Sequence, residues 1–149
     1  MKAVHIYLNF AGNTEEAFDF YSSIFGGEFV GGIMLYRDVP PMEGLDDLPP
    51  LEEEEKDLVA HVSLPLTDRF TLMGTDITSA EPKELIVGNN VQIMLDVDSG
   101  PEAEALFGEL SQGGRVVMPL SETSWAERYG ACEDKFGIHW QINYTGDRA

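Results

Sequence analysis

The chain has 149 residues, of which 43% are hydrophobic and 10% aromatic, and this composition predicts a packed domain rather than a disordered segment. Nine basic residues stand against 27 acidic ones, so the net charge is −18, which opposes binding to nucleic acids and anionic membranes. A single cysteine, Cys132, excludes an intramolecular disulfide and a cysteine metal cluster.

The location of the protein is predicted from the same features. A lone thiol that serves in packing is typical of the cytoplasm. The N-terminus starts directly with strand-like alternation and lacks the apolar core of a signal peptide. Since no apolar run approaches the roughly 18 residues that span a bilayer, we expect a soluble cytoplasmic protein without a membrane partner.

The first part of the chain predicts a strand, a helix and a second strand. Residues 4–10 alternate between apolar and polar side chains, as in a half-buried strand. Asn13 is the predicted N-cap of a helix that ends at the glycine pair 26–27. Residues 28–36 form the second predicted strand, which two internal glycines weaken.

An acidic segment, residues 37–57, follows. It contains four of the eight prolines and nine acidic residues against two basic ones, so we predict a solvated loop that promotes solubility. A lid over a site and a calcium-binding loop are the alternatives. The run of glutamates at 52–55 lacks the alternating spacing of a calcium loop.

The remaining elements of the first half are two strands, residues 58–64 and 70–75, and a linker, residues 76–88. The second half then repeats the order of the first. Its predicted elements are a strand at 91–97, a helix from Gly100–Pro101 to Gly113–Gly114, and strands at 115–120, 128–133 and 138–144, with a turn at 134–137.

The two halves can be aligned. Sliding residues 4–30 onto 91–117, an offset of 87, gives eight identities in 27 positions, whereas about two are expected by chance. The helices fit better at an offset of 86, and the last strands at 68, which leaves residues 37–57 as an insertion. The sequence thus predicts one α+β domain, residues 1–149, built of two βαβββ repeats at about 1–78 and 88–149.

Each repeat is too small to bury its own sheet, so we expect the two to pack into a curved mixed sheet around a trough, with the helices on the outer face. At this point the chain resembles a known family, the PhnB-like group of the vicinal oxygen chelate superfamily, which includes glyoxalases, dioxygenases and bleomycin-resistance proteins. Three segments carry the resemblance: LNFAGNTEEAFDFYSSIFGG, GNNVQIMLDVD and MPLSETSWAERYGACEDKFGIHWQIN.

The resemblance implies a homodimer and four positions at which metal-dependent relatives hold an ion. These positions are His5 and Gln92 on the first strand of each repeat, and Met73 and Gln141 on the last. Because amides and a thioether are poor ligands for the divalent ions of such sites, we predict no metal and no cofactor. The methyltransferase name attached to this group gains no support, since no glycine-rich strand-to-helix turn is visible.

The strands place further candidates on the inner face of the predicted trough. His5 is a candidate general base or, equally, a satisfied interior histidine, and His61 a candidate across the cavity or a packing residue. Arg128 is predicted either to clamp an anionic group or to pair with an acid. The predicted ligand-binding residues are Tyr7, His61, Met73, Gln92, Trp125, Arg128, Tyr129 and Gln141.

Three functions fit this sequence. The leading hypothesis is a metal-independent protein that binds an unidentified small molecule. The second is a small-molecule enzyme of the lyase, isomerase or oxygenase type that uses His5 as general base or metal ligand. The third is a resistance protein that sequesters an antibiotic, for which the acidic surface suits a cationic drug. This fold carries many chemistries, so the fold alone does not choose among them.

Overall fold

The computed structural model describes residues 1–41, 43–44, 47–80 and 84–148. The chain divides into two compact units, Met1–Ile86 and Val87–Ala149. The boundary falls within the predicted linker. That the two repeats share one domain stays a prediction.

The first unit is a four-stranded mixed sheet with one long helix. Its strands lie in the order β1-β4-β3-β2; β1 and β4 are parallel, and the other neighbours are antiparallel. Its elements are β1 (Ile6–Phe10), α1 (Thr14–Phe25), β2 (Met34–Leu35), β3 (Val59–Thr67) and β4 (Phe70–Asp76).

The second unit has the same topology. Its strand order, β5-β8-β7-β6, again contains one parallel pair, β5 with β8, and antiparallel neighbours beyond it. Its elements are β5 (Ile93–Asp96), α2 (Gly100–Ser111), β6 (Arg115–Ser121), β7 (Arg128–Glu133) and β8 (His139–Tyr144). The predicted α+β class with two similar βαβββ halves is confirmed.

The pairing of the strands reproduces the sequence offsets. Tyr7 lies opposite Met73 in the first sheet, and Met94 lies opposite Gln141 in the second. Tyr7 and Met94 on the first strands are 87 residues apart, and Met73 and Gln141 on the last strands are 68 apart, which are the offsets of the sequence alignment. The helices start at Thr14 and Gly100, an offset of 86, so the predicted one-residue gap is confirmed.

Each helix covers one face of its own sheet. A Cβ atom at Gly74 of β4 would lie 2.4 Å from the Phe18 ring of α1, and one at Gly130 of β7 would lie 2.8 Å from the Phe107 ring of α2. Large side chains on this face, such as Leu72 and Trp140, are fully buried. Since strand side chains alternate, their sequence neighbours lie on the opposite face, which we call the helix-free face.

The structure differs from the sequence prediction in two details of the first unit. The strand expected at 28–36 is reduced to Met34–Leu35, because Gly31 and Gly32 adopt positive φ angles of 76° and 73° that break an extended strand. Asn13 occupies the predicted N-cap position of α1, but its side chain makes no capping hydrogen bond. The carboxylate of Asp76 instead accepts hydrogen bonds from the start of the helix.

The acidic segment, residues 37–57, is mostly irregular where the structure describes it; Met42, Leu45 and Asp46 lie outside the described residues. Two short 3-10 helices, at Tyr36–Asp38 and Glu53–Asp57, overlap its ends. Glu55 accepts hydrogen bonds from the backbone and hydroxyl of Ser79. Searched over its described residues, the chain contains no helix with the length and hydropathy of a membrane span.

Candidate functional site

The helix-free face of the first unit carries most of the predicted residues of the first repeat. Tyr7 and Ser63 both lie opposite Met73 in the sheet, so their side chains form a row across three strands. His61 lies two residues before Ser63 on the same face of β3. The structure therefore brings Tyr7, His61 and Met73 together, as the strand alternation predicted.

A chain of hydrogen bonds links three of these side chains. The Tyr7 hydroxyl lies 2.9 Å from Nδ1 of His61, and Nε2 of the same ring lies 2.8 Å from the Ser63 hydroxyl. The Tyr7 and His61 rings are also in contact, with centroids 5.7 Å apart. Both nitrogens of His61 are thus engaged, and the ring is held in one orientation.

The Tyr7 hydroxyl stays protonated at neutral pH. Burial, with a smaller contribution from the neighbouring Tyr36, raises the pKa of the Tyr7 phenol above its ordinary value. The residue nevertheless keeps 47% of its surface exposed. A neutral phenol beside an imidazole can donate a hydrogen bond to a ligand while it accepts one from the ring.

His5 is exposed and lies near the start of β1. Its Nδ1 accepts a hydrogen bond from the Thr71 backbone N–H, at 3.2 Å. An accepting Nδ1 carries no proton, so in the neutral ring the proton resides on Nε2. In this tautomer neither nitrogen offers a free lone pair, which a general base or a metal ligand requires.

The helix-free face of the second unit holds the two predicted glutamines. Nε2 of Gln141 donates to Oε1 of Gln92 at 2.6 Å. The positions that the resemblance assigns to metal ligands in this repeat are therefore occupied by amides that bind each other. Among the described residues, no group of three or more His, Cys, Asp or Glu side chains is arranged to hold a metal ion.

One row further along this face, Asp96, Asn143 and Tyr129 lie side by side on β5, β8 and β7. Nδ2 of Asn143 donates to the Asp96 carboxylate at 2.8 Å. The ring of Trp125 meets the ring of Tyr129 edge to face, with centroids 5.3 Å apart. Trp125 and Tyr129, two of the predicted ligand-binding residues, are thus in contact at one end of the sheet.

Arg128 lies apart from this group. Since Gly130 faces α2, Arg128 faces the same way, and its Nε donates to Glu104 of that helix at 3.1 Å. A second bond runs to the Glu127 backbone carbonyl. The structure therefore places Arg128 on the face opposite Tyr129 and gives it the ion pair that was the alternative to an anion clamp.

A pocket of about 330 Å³ opens at the other end of the second sheet. The Arg115 guanidinium donates to Glu133 at 2.8 Å, and this bond holds the pKa of the Glu133 carboxyl below its ordinary value. None of the predicted site residues lines this pocket. Its lining residues are Val87, Gly88, Asn89, Arg115, Glu133 and His139.

Sequence reasoning missed Ser63, Asp96 and Asn143. Ser63 and Asn143 each lie beside a predicted site residue in register, Met73 and Tyr129, and Asp96 in turn lies beside Asn143. Alternation together with the repeat offsets could have found them. Cys132 is buried, and burial raises the pKa of its thiol to about 11. It is a neutral packing residue, as predicted.

Comparison with known proteins finds a matching family and similar solved structures. Residues 2–143 match the sequence model of a family described as 3-demethylubiquinone-9 3-methyltransferase. The solved structure of protein PA1353 from Pseudomonas aeruginosa is 36% identical, with a TM-score of 0.77 over 95% of this chain and 96% of that one. A PhnB protein from Bacillus cereus is 25% identical, with a TM-score of 0.72 over 95% and 98% of the two chains.

A more distant structure shares the fold alone. A glyoxalase/bleomycin resistance protein/dioxygenase family enzyme from Burkholderia phytofirmans is 13% identical, with a TM-score of 0.58 over 95% of this chain and 96% of that chain. The architecture of two βαβββ units is therefore shared across proteins of very different sequence.

Proposed function

The chain belongs to the family described as 3-demethylubiquinone-9 3-methyltransferase, the PhnB-like group of the vicinal oxygen chelate superfamily, and we propose that it is a cytoplasmic, metal-independent protein that binds a small organic molecule. Each sheet offers its helix-free face as a candidate binding surface. The exposed and half-buried aromatic, amide and thioether side chains of these faces offer a surface for such a molecule.

The hydrogen bond between Gln92 and Gln141 is the observation that carries this proposal. An amide oxygen that accepts a bond from the neighbouring amide is a weak ligand for a divalent cation, and an amide NH₂ group is none. With Met73 at a third position, a single imidazole remains, that of His5. This donor set does not fit the ion that metal-dependent relatives hold, so Lewis-acid steps are not part of the proposed function.

Metal binding provides the first test. We expect the wild-type protein to bind Ni²⁺, Zn²⁺ and Mn²⁺ weakly in calorimetric titration. Replacing both amides, as Gln92→His with Gln141→Glu, places an imidazole and a carboxylate side by side, and we expect it to tighten Ni²⁺ or Zn²⁺ binding by about tenfold or more.

The exposed variant Gln112→His is the matched control, because it adds a histidine on the surface far along the chain from either glutamine. Its metal affinity should equal that of the wild type. Tight, stoichiometric metal on the wild-type protein as purified would overturn the metal-independent proposal.

A second candidate function, catalysis, is favoured by the hydrogen-bonded chain from Tyr7 through His61 to Ser63. A histidine with both nitrogens engaged can pass a proton from one partner to the other. His5, the base suggested by the sequence, is less suited because its Nδ1 accepts from the Thr71 backbone N–H, which cannot take part in a proton relay as the Tyr7 and Ser63 hydroxyls can. A thermal-shift screen of aldehydes, quinones and cationic antibiotics, followed by product analysis of each hit, separates sequestration from turnover.

Methyl transfer, which the description of the family suggests, gains no support from either βα turn. A nucleotide-like methyl donor needs a glycine-rich strand-to-helix turn. The turn before α1, residues 11–13, has one glycine, Gly12, and the turn before α2, residues 97–99, has none. We therefore keep small-molecule binding as the proposed function.

The proposal includes a homodimer, supported by the apolar side chains of β6. This strand lies at the edge of its sheet, and Val116, Val117 and Met118 are all about half exposed. A long apolar edge strand is a natural pairing surface. We expect Val117→Lys to shift the protein from dimer to monomer in sedimentation equilibrium.

Val30→Lys is the control, since Val30 is 64% exposed on the first unit and Val117 52% exposed on the second. The same substitution at this comparably exposed valine should leave the dimer intact. A wild-type protein that sediments as a monomer, or a Val117→Lys variant that remains dimeric, would count against β6 as the interface.

A further inference from the structure

The side chain of Asn143 has an unsatisfied acceptor in the second unit. The residue is 8% exposed, and its buried Oδ1 finds no donor among the residues that the structure describes. A buried polar atom without a partner is costly, because it loses its bonds to water and gains none in return. A donor supplied from outside the chain would remove that cost.

The orientation of this amide is fixed by its neighbours. Nδ2 donates to the Asp96 carboxylate at 2.8 Å and to the Thr145 hydroxyl at 3.1 Å. Exchanging the amide nitrogen and oxygen would bring two acceptors, Oδ1 and the carboxylate, face to face. Oδ1 is therefore the atom that lacks a partner.

The group beside it also offers only acceptors. Asp96 is exposed at the end of β5 and uses one lone pair on Asn143, while a carboxylate has about four acceptor sites. A ligand that satisfies both residues must donate hydrogen bonds. Since the carboxylate is negatively charged, a positively charged donor gains most.

The third feature is the aromatic pair at the same end of the sheet. Tyr129 lies opposite Asn143 in register, and the rings of Trp125 and Tyr129 pack in a T-shaped arrangement. Trp125 is 53% exposed, so about half of this residue can contact a ligand. Tryptophan and tyrosine rings attract cations through their electron-rich faces.

We infer that Asp96, Asn143, Tyr129 and Trp125 form a subsite for the primary ammonium group of an arylalkylamine or a similar organic cation. The inference rests on the proposed small-molecule binding and names its ligand class. The ammonium donates to the exposed Asp96 carboxylate, and the rings hold the adjacent carbon chain. Because Oδ1 of Asn143 is buried, its side chain must turn outward on binding to accept a second bond from the same ammonium. The net charge of −18 raises the local concentration of such cations.

Three probes of the same shape test the inference: 2-phenylethylammonium, neutral 2-phenylethanol and the trimethylated quaternary ammonium. Calorimetry near 0.15 M salt limits nonspecific attraction. We expect the ammonium to bind about tenfold or more tightly than the alcohol, the difference typical of a charged hydrogen bond. The quaternary analogue should bind more weakly than the primary ammonium, because it has no N–H to donate.

Variants locate the binding. Asp96→Asn should weaken binding of the ammonium about tenfold or more and leave the alcohol unchanged. Asp98→Asn, which removes the same charge two residues away, is the control and should bind like the wild type. Both residues are exposed, so neither substitution threatens the fold.

Fluorescence gives an independent readout. Trp125 is exposed and Trp140 is fully buried, so ligand at the subsite should alter wild-type emission but not that of Trp125→Phe. Equal affinities for ammonium and alcohol, or an Asp96→Asn variant that keeps full ammonium affinity, overturn the subsite while the proposed function stands. Absence of saturable ammonium binding also overturns it, and the broader ligand screen then decides the proposed function separately.

Discussion

Replacing Asp76 by alanine is expected to lower the free energy of unfolding by roughly 3–5 kcal/mol. Asp76 is 2% exposed. Its Oδ1 accepts from the backbone of Gly12 and from the backbone and hydroxyl of Thr14, and its Oδ2 accepts from the backbone of Val59. Alanine would leave these donors unpaired at the junction of α1, β3 and β4.

Urea denaturation followed by circular dichroism measures the effect. A loss of this size should lower the melting temperature by about 10 °C in a chain of this length. Asp19→Ala, an exposed substitution within α1, is the control and should change stability by less than about 0.5 kcal/mol. An Asp76→Ala variant within 1 kcal/mol of the wild type would show that water replaces the carboxylate adequately.

Should Asp76→Ala fail to fold, Thr14→Val offers a milder test. It removes the hydroxyl that donates to Oδ1 of Asp76 at 2.6 Å and keeps the three backbone bonds. We expect a loss of about 1–2 kcal/mol. Unchanged stability in this variant would contradict the view that Asp76 holds the start of α1.

Asp76 also illustrates where the sequence could not predict the structure. A capping pattern is local, and Asn13 followed by glutamates matches it. The actual acceptor for Thr14 lies 62 residues away, at the end of β4, and is brought to the helix by the parallel pairing of β1 with β4. No window of sequence contains both partners.

The candidate site was more predictable, because it depends on strand alternation and on the repeat. Period-two alternation placed Tyr7 and His61 on polar faces, and the structure shows them bonded. Alternation could not show that Ser63 completes the chain of hydrogen bonds, since a serine on a strand has no sequence pattern that marks it as a functional residue. For Arg128, alternation predicts that it lies on the face opposite Tyr129. Its partner Glu104 lies on α2, and strand alternation alone could not identify it.

The polar residues that lie in register on the helix-free face differ in chemistry between the two repeats. With offsets of 87 and 68, Asn9 corresponds to Asp96, and Thr75 corresponds to Asn143. The position of His61 holds Tyr129 in the second repeat. Neutral and basic groups in the first unit are thus matched by a carboxylate and a phenol in the second, so an organic cation is expected to prefer the second unit.

Gly114 is expected to be the glycine of the second repeat least tolerant of alanine, with a loss of about 2–3 kcal/mol. A Cβ atom there would lie 2.1 Å from the Glu133 carbonyl oxygen and within 3 Å of the Asp134 backbone. The neighbouring strand cannot yield as a flexible side chain would. The sequence pattern assigns Gly114, together with Gly113, to the end of the helix. In the structure only Gly113 has the positive φ, 75°, that favours glycine at this point.

Gly108→Ala is the matched control for Gly114→Ala. Gly108 lies within α2, and a Cβ atom there would meet nothing within 4 Å. Alanine is the better helix former, so this variant should gain about 0.5–1 kcal/mol. Urea denaturation should therefore move the two midpoints in opposite directions. A Gly114→Ala variant as stable as the wild type would show that β6 and β7 can separate at this point without cost.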